Sequence, residues 1–271
     1  MGNGQAILGG SPLYALTLVL GLVLTALLWR RLLRADGRPP DGRLYAVYGG
    51  ALAGAYVGAK IAFLVSEGWQ HRSDWIALLS GHSVTGALLG GVVGVETAKS
   101  VTGYRQGTGD LFAVTVPLAL AIGRIGCIAA GCCPGVRCEA GWWAVPDHDG
   151  HPRWPAPHAE MAFNLAFLAW ALCALRFGWQ RGQRFNIYLM AYGIFRFAHE
   201  FARDDARWVG GFGGYHAMAI AVAATGAVMY ARRAREGTHR PAETGGRTVT
   251  GENAGRNATA RADDRIAPPF G

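Results

Sequence analysis

Arg196, Glu200 and Arg203 follow one another at steps of four and three residues. On an α-helix those steps return to nearly the same angle, so two arginines and a carboxylate share one face. The simplest use of Arg196 and Glu200 is an intrahelical salt bridge. Yet the face carries more positive charge than one glutamate offsets, and an arginine fork grips phosphate oxygens two at a time. Arg124 stands differently, between Gly123 and Ile125-Gly126, with no acid three or four residues away. Lacking a partner nearby in the chain, it asks for an anion. Glu160 and His199 join this set of groups able to bind or move charge.

Four cysteines form a second constellation, Cys127, Cys132, Cys133 and Cys138, in the pattern C-x4-C-C-x4-C. Three uses compete: a structural disulfide pinning the loop 131–157, free thiols lining a pocket, or metal ligation. The pattern holds no C-x2-C pair, and adjacent cysteines seldom serve one ion, so no metal is expected. Cys173 reads as an apolar filler. His148 and His151, with Asp147 and Asp149, read as an exposed polar turn.

These groups are positioned by an apolar chain. Of 271 residues, 51% are hydrophobic, only 16% are charged and 40 are glycine; mean hydropathy is positive. Soluble domains carry about 25% charged residues, so an ordinary cytosolic enzyme is excluded. Seven stretches are long and apolar enough to suggest membrane spans: 11–29, 44–65, 83–98, 111–130, 161–175, 185–198 and 209–231. The fifth and sixth are short and need flanking residues or a locally thinned bilayer. No cleaved signal peptide is expected, because 1–10 lacks a basic residue.

Arginine and lysine fix the orientation. With the amino terminus outside, the inner segments (counted to residue 240) hold 14 and the outer segments 5, which makes the carboxyl terminus cytoplasmic. The net charge of +8 is thereby topology and not a nucleic-acid surface. Residues 232–271 turn to Arg, Gly, Thr, Asn and Pro, which predicts a disordered tail. Gly49-Gly50 with Gly54, and Gly90-Gly91 with Gly94, predict close helix packing.

An ionisable group in mid-bilayer costs at least about 2.5–3.5 kcal/mol, so it usually faces a wet cavity or a partner. Arg124, Glu160, Arg196, His199, Glu200 and Arg203 all fall in the outer half of the spans. Lys60 is expected to snorkel or to pair with Glu67.

Gly123-Arg124-Ile125-Gly126 and the segment 192–203, Y-G-I-F-R-F-A-H-E-F-A-R, carry a resemblance. They are similar to the G-R-x-G-N-F-x-N-G-E and Y-G-x-F-R-x-x-x-E-F-x-R motifs of the prolipoprotein diacylglyceryl transferase family. Gly58-Ala59-Lys60 sits where that family has G-A-R, residues 81–91 follow its G-x-S-x-H-G-G-L-I-G-G, and Arg153-Trp154-Pro155 with Glu160 follows R-H-P-x-x-x-x-E. The likeness covers 11–231 in order. Cys127, Ala130 and Cys132 replace the signature's two asparagines and its glutamate, Thr85 replaces its histidine, and Trp154 that of R-H-P.

The resemblance implies transfer of the diacylglyceryl group of phosphatidylglycerol to the lipobox cysteine of a prolipoprotein, forming a thioether and releasing glycerol phosphate. It implies a phosphate clamp of Arg124 and Arg196, with Glu200 orienting Arg196 and Arg203. His82, one turn from Thr85 on the same face, or His199 would assist the thiol. Tyr14, Thr85, Cys127, Arg203 and Glu160 complete the substrate site, Glu160 bracing the outer helix ends.

The expected protein is therefore an all-α, seven-span monomer of the bacterial inner membrane. Its membrane domain, 1–231, surrounds an outward-opening lipid cavity; 232–271 form the tail. Its partners are phosphatidylglycerol, a prolipoprotein and the bilayer, and it uses no cofactor, metal or nucleic acid. Two alternatives stay open. One is a divergent relative that only binds lipid or a lipoprotein, and the other is a membrane thiol–disulfide oxidoreductase built on Cys127, Cys132, Cys133 and Cys138.

Overall fold

The computed structural model describes residues 12–35, 37, 41–133, 135–147 and 149–238. Among them, seven long helices follow the apolar stretches: α1 (Pro12–Ala35), α2 (Gly42–Ser66), α4 (Val84–Thr102), α5 (Gly109–Ala130), α6 (Ala156–Phe177), α7 (Arg184–Glu200) and α8 (Gly214–Thr238). A short helix, α3 (Trp75–Ser80), lies between α2 and α4, and the α5–α6 connection carries a two-stranded hairpin, β1 (Val145–Pro146) and β2 (Pro152–Arg153). The protein is all-α. Four helices (α2, α5, α6 and residues Gly214–Glu236 of α8) are long and apolar enough to cross a membrane.

Helix ends follow local chemistry. Ser83 accepts the Gly86 N–H and starts α4, the usual office of a serine N-cap. Glycines in the left-handed region end α4, α5 and α6 at Gly103, Gly131 and Gly178, a conformation that costs glycine little. Two boundaries differ from expectation. The last span begins at Gly214 and not at 209, because Val209 and Phe212 close a tight turn first. At its other end α8 continues through Arg232–Thr238, so those tail residues are helical; 239–271 lie outside the described residues.

Packing joins the helices in pairs. Gly50, Gly54 and Gly58 of α2 meet Gly86, Gly90 and Gly94 of α4 so closely that a Cβ on Gly54 would lie 2.9 Å from the Gly94 Cα. Small residues at an interface let backbones touch in this way where lipid offers no hydrophobic drive. Trp29, Leu44, Val47, Val95 and Phe112 form one buried cluster. Leu88, Val114, Phe167, Tyr188, Tyr192 and Val222 form another. Outward faces carry Leu16, Val19, Leu20, Tyr56, Val57, Ile61 and Ile194 in the open, as helices in lipid do.

A cavity of about 900 Å³, mainly apolar, runs between α1, α2, α4, α5, α7 and α8. Its wall extends from Thr17, Val84 and Gly123 to Lys99, Thr108, Arg233 and Glu236. The cavity thus runs from near the helix ends that the charge rule assigns to the outside, Val84 being the first residue of α4, to those it assigns to the inside. At the carboxyl ends of α5 and α7 the space between helices is filled by interlocked ion pairs.

Candidate functional site

α5, α6 and α7 bring that filling together. Helical steps of four put Tyr188, Tyr192, Arg196 and Glu200 on one face of α7, and all four are buried. Facing them from α6 are Glu160 and Asn164, both fully buried. Tyr192 donates to Glu160 Oε1 at 2.7 Å, Tyr188 to Asn164 Oδ1 at 2.8 Å, and Asn164 Nδ2 to the Glu160 carbonyl at 2.8 Å. Such a ladder fixes the carboxylate before any ligand arrives.

Glu160 is the centre. Its Oε2 lies 2.6 Å from Arg124 Nη2 on α5 and 3.7 Å from Arg196 Nη1 on α7. The two arginines therefore converge. Arg124 is not partnerless as its sequence neighbourhood suggests; its acid comes from another helix, 36 positions along the chain. Glu160 thus ties three helices together and does more than brace their ends.

Glu200 Oε2 holds Arg196 Nη2 at 2.7 Å. It does not hold Arg203, whose Nε pairs with Asp205 Oδ2 at 2.8 Å, while Asp205 also lies 3.4 Å from Arg196. Burial alone would raise the Asp205 carboxyl. The charge and hydrogen bond of Arg203, with Arg196 behind, outweigh it and hold the group below the usual carboxylate range. Arg207 caps the turn through the Glu200 and Arg203 carbonyls at 2.7 and 2.8 Å. Arg196 Nη1 and Arg203 Nη1 are buried and, among the described residues, make no hydrogen bond. Two donors with unmet capacity, on arginines that share the Asp205 carboxylate, suit a polyoxygen anion.

His199 is also buried. Trp154 Nε1 donates to its Nε2 at 3.2 Å, and its ring stacks on Phe195 at 5.0 Å. A neutral imidazole that accepts at Nε2 carries its proton on Nδ1. In this tautomer, assigned from the indole contact, His199 is a donor at Nδ1, and its one lone pair, on Nε2, faces the Trp154 indole.

His82 precedes the Ser83 cap, so it lies outside α4 and shares no helical face with Thr85. It is exposed and its ring packs on Tyr56 at 5.4 Å. Thr85 is buried and bonded to Ser83 at 2.8 Å. Tyr14 belongs to α1, but its side chain lies outside the described residues. Lys60 does not pair with Glu67. Its Nζ caps the end of α3 through the carbonyls of Leu78, Leu79 and Gly81, and Glu67 accepts from Tyr215 at 2.9 Å.

All five cysteines are free, so the loop is not disulfide-pinned; Cys173 is exposed on α6. Cys127 Sγ lies 3.6 Å from Arg124 Nη1. The loop is held instead by Arg153, which pairs with Asp147 and Asp204 at 2.8 Å each. Arg153's hydrogen bond, opposed by desolvation and helped by the His151 and Asp149 backbone N–H groups, lowers the half-buried Asp147 carboxyl to about 2.

Trp154, Asp205, Tyr192 and Arg207 are site residues that sequence reasoning missed. Tyr192 was within reach, four residues before Arg196 on the same face. Asp205 has a weaker signal, an acid two residues after Arg203 but beyond the helix.

Compared with known proteins, residues 11–232 match the family model described as prolipoprotein diacylglyceryl transferase. A Clostridium perfringens protein, phosphatidylglycerol–prolipoprotein diacylglyceryl transferase 2, is 26% identical over 205 residues, covering 72% of this chain and 79% of its own. A Chromohalobacter salexigens phosphatidylglycerol–prolipoprotein diacylglyceryl transferase is 31% identical over 204 residues, covering 70% and 74%. One of the same name from Nitratidesulfovibrio vulgaris is 30% identical over 184 residues, covering 63% and 66%.

Proposed function

Because this chain belongs to the prolipoprotein diacylglyceryl transferase family, we propose that it moves the diacylglyceryl group of phosphatidylglycerol onto the lipobox cysteine of a prolipoprotein. The observation that carries this reading is the convergence of Arg124 and Arg196 from two helices on one buried point. In the reaction the cysteine sulfur forms a bond to the glyceryl carbon, the carbon–oxygen bond to phosphate breaks, and glycerol phosphate departs with the electron pair. The leaving charge needs preorganised donors. Arg196 Nη1, Arg203 Nη1 and the Nδ1–H of His199 supply them, with Arg124 behind Glu160.

The thiol reacts as thiolate, which a positive field favours as well as a base does. With His199 donating on both counts of geometry and tautomer, the guanidinium groups carry this task. The apolar cavity beside Gly123 is suited to acyl chains. The seven long helices would span the inner membrane with the amino terminus outside, Tyr14 and Thr85 lying on the substrate path, and the chain acting as a monomer. No cofactor enters this scheme.

A strain depleted of its own transferase supplies the test. Expression of this chain should restore growth and lipoprotein maturation. Failure to restore either, with the protein present in the membrane, would favour a relative that binds lipid or lipoprotein without turnover.

A further inference from the structure

Cys127 and Cys132, which stand at polar positions of the family's motif, cluster with Cys133. Gly131 ends α5 with its N–H on the Ile128 carbonyl at 3.2 Å, and the Cys132 N–H reaches the Cys127 carbonyl at 3.1 Å. These are the two bonds of a Schellman turn. The turn folds Cys132 back over the last helical turn, where its thiol approaches the Cys127 carbonyl at 3.7 Å. Cys133 then takes a left-handed backbone, φ 60°, uncommon for a residue with a Cβ. Its Sγ comes to 3.9 Å from that of Cys132. The next residues are pinned, Gly135 bridging to Arg203 and the Val136 N–H bonding the Ala202 carbonyl at 3.0 Å.

The result is three sulfurs, each within 4.8 Å of the others. A metal bound by three thiolates in a plane at about 2.3 Å needs sulfurs about 4 Å apart. Adjacent cysteines seldom share an ion because their side chains diverge along an extended chain; the left-handed residue removes that obstacle here. Among the described residues no fourth His, Cys, Asp or Glu completes a tetrahedron, which disfavours zinc. Soft thiolates in low coordination select monovalent copper. Arg124, 3.6 Å from Cys127 Sγ, offsets the surplus negative charge of three thiolates on one monovalent ion.

We propose that Cys127, Cys132 and Cys133 bind one copper(I) ion in trigonal thiolate coordination at the outer end of α5. The proposal does not rest on the transfer reading, although Arg124 and Cys127 belong to both sites, and it would hold whether or not the chain turns over lipid. The full-length protein, reduced and anaerobic in detergent, would be titrated with copper(I) against a chromophoric copper(I) chelator. One equivalent should be retained. Cys127→Ser, Cys132→Ser and Cys133→Ser should each weaken retention at least tenfold, whereas Cys138→Ser and Cys173→Ser should leave it unchanged. X-ray absorption on the unmutated protein guards against variants that fail to fold, and should find three sulfur neighbours. No retained copper, two-sulfur or oxygen coordination, preferential retention of zinc, or a Cys127–Cys132 or Cys132–Cys133 disulfide in the reduced preparation would each overturn the assignment.

Discussion

Arg124 on α5 and Glu160 on α6 lie 2.6 Å apart, and the glutamate side chain has no exposure at all. A buried carboxylate of this kind survives only with its partners, since breaking such a pair leaves an uncompensated charge worth about 3–5 kcal/mol. Glu160→Ala should therefore lower the thermal unfolding midpoint in detergent far more than Glu96→Ala, which removes an exposed pair with Lys99 worth at most about 1 kcal/mol. Equal shifts in the two variants would contradict the role given to Glu160.

The α2–α4 seam leaves no room for side chains. A Cβ at Gly90 would lie 2.8 Å from the Gly58 Cα, whereas one at Gly49 would meet nothing within 4 Å. Gly90→Val should abolish accumulation of folded protein and Gly49→Ala should be tolerated, as judged by size-exclusion profiles after detergent extraction.

Acid should loosen the end of the molecule where the ion pairs interlock. Asp205 has a folded-state value below the roughly 3.9 of an unfolded aspartate, and Asp147 falls to about 2. Groups with depressed values contribute stability that is present above the unfolded value and is lost as pH falls through the folded one. The unfolding midpoint should stay flat from neutrality to about pH 5 and drop below about pH 4. In Asp205→Asn that acid limb should shrink, the midpoint at neutral pH already being lower.

His199 separates two mechanisms. A general base contributes about 10²–10⁴-fold, so its loss by substitution with glutamine would cost that much and flatten one limb of the pH–rate profile. A donor is largely replaced by the glutamine amide. His199→Gln should keep the profile's shape and lose less than about tenfold in kcat.

Much of the fold was legible. All seven apolar stretches became helices, because runs of this length leave the backbone little alternative to satisfying itself. The Arg196–Glu200 pair was legible too, being one helical turn apart. Contacts between helices were not. Glu160 reaches Arg124 across 36 residues, and Lys60 found backbone carbonyls, which no pattern of side chains announces. His82 was misplaced for want of reading Ser83 as a cap, a signal that was present.

Transfer itself is the most direct test of the arginine clamp. Purified protein would be given phosphatidylglycerol labelled in its acyl chains together with a lipobox peptide, and the thioether product measured for the unmutated chain, Arg124→Ala and Arg196→Ala. The account predicts labelled peptide from the unmutated chain and a loss of at least about 10²-fold in each variant, with both variants still inserted and helical. No product from the unmutated chain, or near-normal turnover by both variants, would contradict it.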